Sequence, residues 1–260
     1  MDANAPPRID VRLDATQAGT VARLTVHNER KLNTLDSTLM RAFVAEVEAL
    51  GERDDLRALV LAGAGDKAFI GGAHIPEMAA LDRGTAKDFI ILVHRTCNCL
   101  RQLPVPVIAR IDGYALGAGL EVAVSCDLRV ASARAKFGMP EVKVGIPSVV
   151  EAALIPQLIG WGRTREMLMT GETIDAETAQ RWGLVERVVA PEDLDREIEI
   201  LLAALLSAGP HAVRRQKALM RAWENLPMDR AIAAGIDAFV ESFDTDEPKR
   251  LLGAFLKRRR

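Results

Sequence analysis

The sequence has no dominant charge. Its 34 Lys and Arg stand against 36 Asp and Glu, a net charge of −2 over 260 residues. That balance gives no global attraction to nucleic acid or to an anionic membrane surface, and neither partner is expected. Long apolar runs are also missing. Stretches such as 90–93 and 122–124 fall far short of the ~20 residues a membrane helix needs. The opening residues 1–10 carry no apolar signal core, so a cytoplasmic location is expected. Cysteine and histidine are scarce: Cys97, Cys99 and Cys126, with His27, His74, His94 and His211. None falls at metal-ligand spacing, and no metal site is expected. The thiols read as small buried hydrophobes in a reducing compartment. Internal repeats and low-complexity tracts are absent as well.

What is present is an ordinary globular composition, 49% apolar and 27% charged. A chain of this length buries roughly three quarters of its surface, enough for one large domain or two small ones. Residues 8–13 and 20–27 read as strands around a turn at Gln17, Ala18 and Gly19. Leu39, Phe43, Val47 and Leu50 recur at helical spacing, with Asp36 or Ser37 as cap. Residues 57–62 read as a buried strand, then a Gly-rich loop over 63–72 and a short helix from about His74. A helix over 85–101 is stopped by Pro104 and Pro106. A strand follows at 107–112, a second Gly-rich loop, a helix to about Ser125, and a strand at 127–131. This alternation predicts an α/β fold over residues 1–195, which would hold the active site. Residues 196–260 read as helices, and the apolar positions Ile232, Ile236, Phe239, Phe243, Leu251, Leu252 and Phe255 lack an evident cover. They pack either on the parent domain or on a partner subunit.

Two loop–helix junctions, FIGGAH at 69–74 and GAGLE at 117–121, offer backbone N–H groups to a negative charge. A Walker A phosphate loop is excluded, because no Gly-Lys-Ser/Thr occurs there. A dinucleotide loop needs a third glycine where Val122 stands. The dinucleotide loop stays open as a near miss, and the third reading is an oxyanion hole for a carbonyl. Glu121 lies in an otherwise apolar helix, where a lone carboxylate is costly unless paired or protonated. It is either bonded to a neighbouring Arg or to backbone, or it is functional. Glu141 follows Pro140 on a constrained segment, and is either paired with Lys143 or Arg134 or functional. Two acids beside an anion-stabilising loop would allow general acid and base roles.

These residues resemble the enoyl-CoA hydratase/isomerase (crotonase) superfamily. Three blocks carry the resemblance in combination: KAFIGGAHIPEM at 67–78, DGYALGAGLE at 112–121 followed by Ser125, Cys126 and Asp127, and FGMPE at 137–141. It extends from residue 30 to residue 258. The resemblance implies a crotonase-like spiral of ββα-type turns followed by helices, assembled as a homotrimer or a dimer of trimers. It implies an acyl-CoA thioester as substrate, coenzyme A entering as part of that substrate and no separate cofactor. The oxyanion amides would be those of Ala73 and Ala118. Glu121 and Glu141 match the two hydratase acids, with Glu141 as acid and Glu121 as its partner. Arg30, Lys31 and Leu32 match a stretch near the nucleotide, with Ala73 at the thioester. Phe255 and Arg258 match C-terminal positions that approach coenzyme A.

The implied activity is syn addition of water across the C2=C3 bond of a 2-enoyl-CoA, in fatty acid metabolism. Retention of both acids favours hydration over isomerisation. Hydrolase, carbon–carbon lyase and non-catalytic acyl-CoA binding stay open. Residues 80–100 and 148–160 are expected to line the acyl pocket. Four departures from the family pattern stand out. Ala118 replaces a Gly, and Arg258 a Lys. His74 replaces an Asp, as a helix cap or a substrate contact. The loop at 145–151 is one residue shorter. There Ser148 and Glu151 either alter the reaction or simply pack, with Glu151 as a solvated or helix-start charge.

Overall fold

The computed structural model describes residues 6–258, apart from the side chain of Arg258. It begins with a hairpin of β1 (Arg8–Thr16) and β2 (Gly19–His27), turning where Gly19 adopts φ +119°. Helix α1 (Ser37–Gly51) starts where the Asp36 carboxylate accepts the Leu39 N–H at 2.8 Å. Then come β3 (Leu56–Gly63), β4 (Ala68–Ile70), α2 (Ile75–Ala79) and α3 (Ala86–Gln102). They are followed by β5 (Val107–Ile111), β6 (Tyr114–Leu116), α4 (Ala118–Val124), β7 (Leu128–Ser132) and β8 (Lys136–Gly138). The periodicity-based elements therefore stand within a few residues of their expected bounds.

The strands form two sheets. The larger has the order β1-β2-β3-β5-β7-β10, parallel from β2 onward, with β10 at Arg187–Val189. Alternate side chains of β3 serve its two faces. Leu59 and Leu61 join the main core with Phe43 and Met40 of α1 and Leu100 of α3. Ala58 and Val60 face α7 (Leu194–Ser207), which buries Leu194, Ile198 and Leu202 against them. Each such burial is worth about 2 kcal/mol, which fixes α7 on the sheet.

The smaller sheet has the order β4-β6-β8-β9, with β9 at Thr173–Asp175. β4, β6 and β8 run parallel, and β9 is antiparallel to β8. Every strand in it has three residues, too few for an apolar period to register in the sequence.

Between β8 and β9 lie two 3-10 turns, Pro140–Val144 and Val150–Leu154, and α5 (Ile155–Thr170), bent at Gly160. The chain continues through α6 (Ala176–Trp182) and β10 to α7, α8 (Pro210–Trp223), α9 (Met228–Glu241) and α10 (Glu247–Arg258). The buried Glu247 carboxylate accepts the N–H groups of His211 and Ala212 at 3.2 and 2.9 Å, tying α10 to the start of α8. Lys217 Nζ donates to Leu100 O, Val105 O and Asp127 Oδ2 at 3.0, 2.9 and 2.7 Å, pinning α8 to the body. Ile232, Ile236, Phe239 and Val240 of α9 and Leu252 and Leu256 of α10 remain more than half exposed. Among the described residues no helix is long and apolar enough to cross a membrane. Cys97, Cys99 and Cys126 are buried and unpaired, as expected.

Candidate active site

The small sheet sets out the site. Its three parallel strands deliver three successive loops at their carboxyl ends. β4 leads into Gly71, Gly72, Ala73 and His74; β6 leads into Gly117 and Ala118; β8 leads into Met139, Pro140 and Glu141. Clefts outside the carboxyl ends of parallel strands are the usual ligand sites of such sheets.

The first loop is held against residues 32–35. Gly71 N–H donates to Leu32 O at 2.7 Å, Leu35 N–H to Gly72 O at 2.9 Å, and His74 N–H to Leu35 O at 2.9 Å. These bonds engage the amides on both sides of Ala73. The Ala73 N–H itself has no backbone acceptor among the described residues. The second loop turns at Gly117, whose φ of +52° suits glycine. Its N–H donates to Gly138 O at 2.9 Å, and its carbonyl accepts from Leu120 and Glu121. Ala118 opens α4, where the first amides have no partner within the helix. Gly119 lets α4 sit directly on β4, since a Cβ there would fall 1.9 Å from Ile70 O. That contact brings the two loops together.

Ala73, Ala118, Glu121 and Glu141 all line one cavity of about 190 Å³. Its remaining wall is largely apolar and includes Ile75, Met78, Phe89, Ile90, Val93, Ile146 and Val149. Of the expected stretch 80–100, Phe89, Ile90 and Val93 line this cavity. From 148–160 the lining includes Val149, while residues 140–147 supply more than was expected.

Glu121 is only 4% exposed. Its Oε1 accepts the Ala152 N–H at 3.1 Å, and no Arg pairs with it among the described residues. Burial pushes its carboxyl up to about 8, helped by the negative charges of Glu141 and Glu151. Glu141 is half-buried. Its Oε2 accepts the Ser148 hydroxyl at 2.8 Å. Its Oε1 lies over Gly117, where an added Cβ would be 2.5 Å away. Neither suggested ion partner reaches Glu141: Lys143 pairs with Glu172, and Arg134 with Asp112 and Asp66.

Arg30 and Lys31 belong to a 3-10 turn (Glu29–Lys31) that Leu32 closes with φ +54°, directly behind the first loop. Lys31 Nζ lies 3.2 Å from His74 Nε2, and the His74 side chain makes no cap bond to α2. Phe255 lies on α10, half exposed and outside the cavity wall of the single chain. The side chain of Arg258 is outside the described residues. Glu151 corrects the expectation of a solvated charge: it is 6% exposed and bonded to His94 Nδ1 at 2.7 Å. His94 has no signal in the sequence beyond being one of four histidines. Among the described residues no cluster of three metal-ligating side chains occurs.

The fold and the cleft define a class: an α/β protein in which two loop residues, Ala73 and Ala118, and two glutamates line one largely apolar cavity. The family model described as enoyl-CoA hydratase/isomerase matches residues 16–260, and the chain belongs to that family, within the crotonase superfamily. It is 34% identical over 243 residues to the short-chain-enoyl-CoA hydratase of Clostridium acetobutylicum, covering 93% of both chains. It is 35% identical over 241 residues to the crotonyl-CoA hydratase of Syntrophomonas wolfei, covering 92% of this chain and 93% of that one. Among solved structures, the enoyl-CoA hydratase of Mycobacterium smegmatis aligns with a TM-score of 0.91 at 31% identity, over 96% of this chain and 97% of that one. The fold is therefore the crotonase fold.

Proposed function

We propose that the chain is a 2-enoyl-CoA hydratase that adds water syn across the C2=C3 bond. The observation that carries this reading is the convergence of Ala73, Ala118, Glu121 and Glu141 on one apolar cavity. Attack of water at C3 moves electron density onto the thioester oxygen. The Ala73 and Ala118 amides then stabilise the developing enolate more than the neutral ground state. One carboxylate orients the water and takes its proton. The other carboxyl delivers a proton to C2, and each transfer contributes on the order of 10²–10⁴ in rate.

The family pattern names Glu141 as the acid and Glu121 as its partner. Burial raises the Glu121 carboxyl to about 8, which favours its protonated form at neutral pH. The apolar wall of Phe89, Ile90 and Val93 would take the acyl chain. Arg30, Lys31 and Leu32 would approach the nucleotide of coenzyme A. Phe255 and Arg258 would approach it from α10. The exposed apolar faces of α9 and α10 support a homotrimer or a dimer of trimers, measurable by light scattering on the purified protein. The buried free thiols support a cytoplasmic location.

A thioester panel tests the activity. Crotonyl-, longer, branched and aryl enoyl-CoA esters are followed by loss of the conjugated absorbance, with products identified by mass. A gain of one water on at least one ester is expected. Release of free coenzyme A without hydration would point to a hydrolase and overturn the reading.

A further inference from the structure

Residues 148–152 form a short bridge behind the cleft, between the turn bearing Glu141 and α5. Ser148 Oγ donates to Glu141 Oε2 at 2.8 Å, and Ala152 N–H donates to Glu121 Oε1 at 3.1 Å. One segment therefore holds both acids, each by a single bond. The segment is strained. Val150 has φ +42°, in the left-handed region that a β-branched residue seldom occupies. Such a conformation persists only where its surroundings over-determine it.

The neighbouring residue supplies the anchor. Glu151 points inward, 6% exposed, and its Oε1 bonds His94 Nδ1 at 2.7 Å. His94 sits on α3, half exposed, and α3 is fixed in the core through Phe89, Leu92, Val93 and Leu100. Glu151 Oε2 is buried without a hydrogen-bond partner among the described residues. A buried carboxyl with one oxygen unpaired costs stability, so its one bond, to His94, is the contact that holds it.

We propose that Glu151, tied to His94, is a positioning residue: the pair clamps residues 148–152 in the strained conformation that aims the Ser148 hydroxyl at Glu141 and the Ala152 amide at Glu121. Neither Glu151 nor His94 lines the cavity, so they act through the two acids and not on the substrate. The proposal rests on the hydratase reading for what those acids do. When the clamp is released, Val150 relaxes to negative φ and Ala152 swings away. Glu121 then loses its hydrogen bond and turns from the reacting carbons.

His94→Ala, Glu151→Ala and Glu151→Gln test it against the unmodified protein in two measurements. In crystal structures of the two alanine variants, Val150 should leave positive φ and the Ala152–Glu121 bond should break. Val150 unmoved, with both acid contacts intact, would overturn the clamp. With crotonyl-CoA, the alanine variants should lose about 10- to 100-fold in kcat, the range expected for misplaced reacting groups, with KM within about twofold. An unchanged kcat, or a loss confined to KM, would also overturn it. Glu151→Gln keeps one hydrogen bond to His94 and should retain most of kcat. A loss equal to that of Glu151→Ala would show that the charge matters and not the tether. Because His94 is half exposed, its truncation leaves the core filled if Glu151→Ala does not fold. If the unmodified protein hydrates no thioester, the hydratase reading fails while the crystal structures still decide the clamp.

Discussion

Replacing Glu121 by Gln should change the pH dependence of stability as well as the chemistry. The Glu121 carboxyl rises from an ordinary 4.5 to about 8 because the folded protein buries it beside two other acids. The folded state thus binds the proton more tightly than the unfolded chain. The resulting stability is fully present below pH 4.5 and is lost as pH rises through about 8. Each tenfold in proton affinity is worth about 1.36 kcal/mol, so the whole effect is about 5 kcal/mol. More than half of it is already gone at pH 7. Gln keeps the shape, keeps an acceptor for the Ala152 N–H and never ionises. The variant should match the unmodified protein within about 1 kcal/mol at pH 5 and exceed it by about 4–5 kcal/mol at pH 9. Denaturant unfolding of both proteins at one fixed concentration, in steps from pH 5 to pH 9, measures the difference. Subtraction cancels the titrating groups that do not interact with Glu121. Hydratase activity should fall by most of its value in the same variant. A stability difference that stays flat across this range would refute the assignment of a buried, proton-holding Glu121.

Three further outcomes follow from the geometry. Gly117→Ala places a methyl 2.5 Å from Glu141 Oε1 at φ +52°; it should lower kcat by about 100-fold or more, measured on crotonyl-CoA, while costing about 1–2 kcal/mol of stability. Lys217→Ala strands Leu100 O, Val105 O and Asp127; it should cost about 3–5 kcal/mol in denaturant unfolding. Lys31→Ala, beside the first amide loop, should raise KM for an enoyl-CoA several-fold and leave kcat near its original value; the corresponding pantetheine thioester, which lacks the nucleotide, should show no change in KM.

The large sheet and its helices were legible because their residues repeat. Leu39, Phe43, Val47 and Leu50 mark one face of α1, and all four are buried. Leu194, Ile198, Leu201 and Leu205 repeat in the same way along α7, where Leu194 and Ile198 are buried, Leu201 and Leu205 pack partly buried beside them, and Leu202 is the further buried residue. The small sheet was not legible as strands, because three residues span no period. It was nevertheless recorded in the sequence as glycine and proline at the strand ends. Glu121 and Glu141 could be singled out because charge in an apolar setting demands a reason. Each also had an innocent explanation: Glu121 does take one of those offered, a backbone amide, whereas Glu141 meets a serine hydroxyl in place of the suggested Lys143 or Arg134. His94 shows the opposite limit. Its partner lies 57 positions away, on an element whose burial the local sequence does not reveal. A charge in a short loop reads as solvated or as a helix start until the fold closes over it: Glu151 does begin a 3-10 turn, but it is buried there.

Three-residue strands share few hydrogen bonds, so the small sheet cannot position a site by pairing strength alone. Close backbone approach does that work. Gly119 admits Ile70 O where a side chain would stand, which sets the start of α4 against the end of β4. Gly117 admits the Glu141 carboxylate in the same way, which sets the third loop against the second. The two amides and one of the two acids are thus located by the absence of Cβ atoms, to within the distance a methyl would occupy. The second acid, Glu121, then follows from helical geometry, three residues after Ala118 on the same turn of α4. A site specified this way tolerates change in the residues that merely line it, such as Ile90 or Val149. It does not tolerate a methyl at either glycine. Substrate preference can therefore drift with the apolar wall while the amide and acid framework stays fixed.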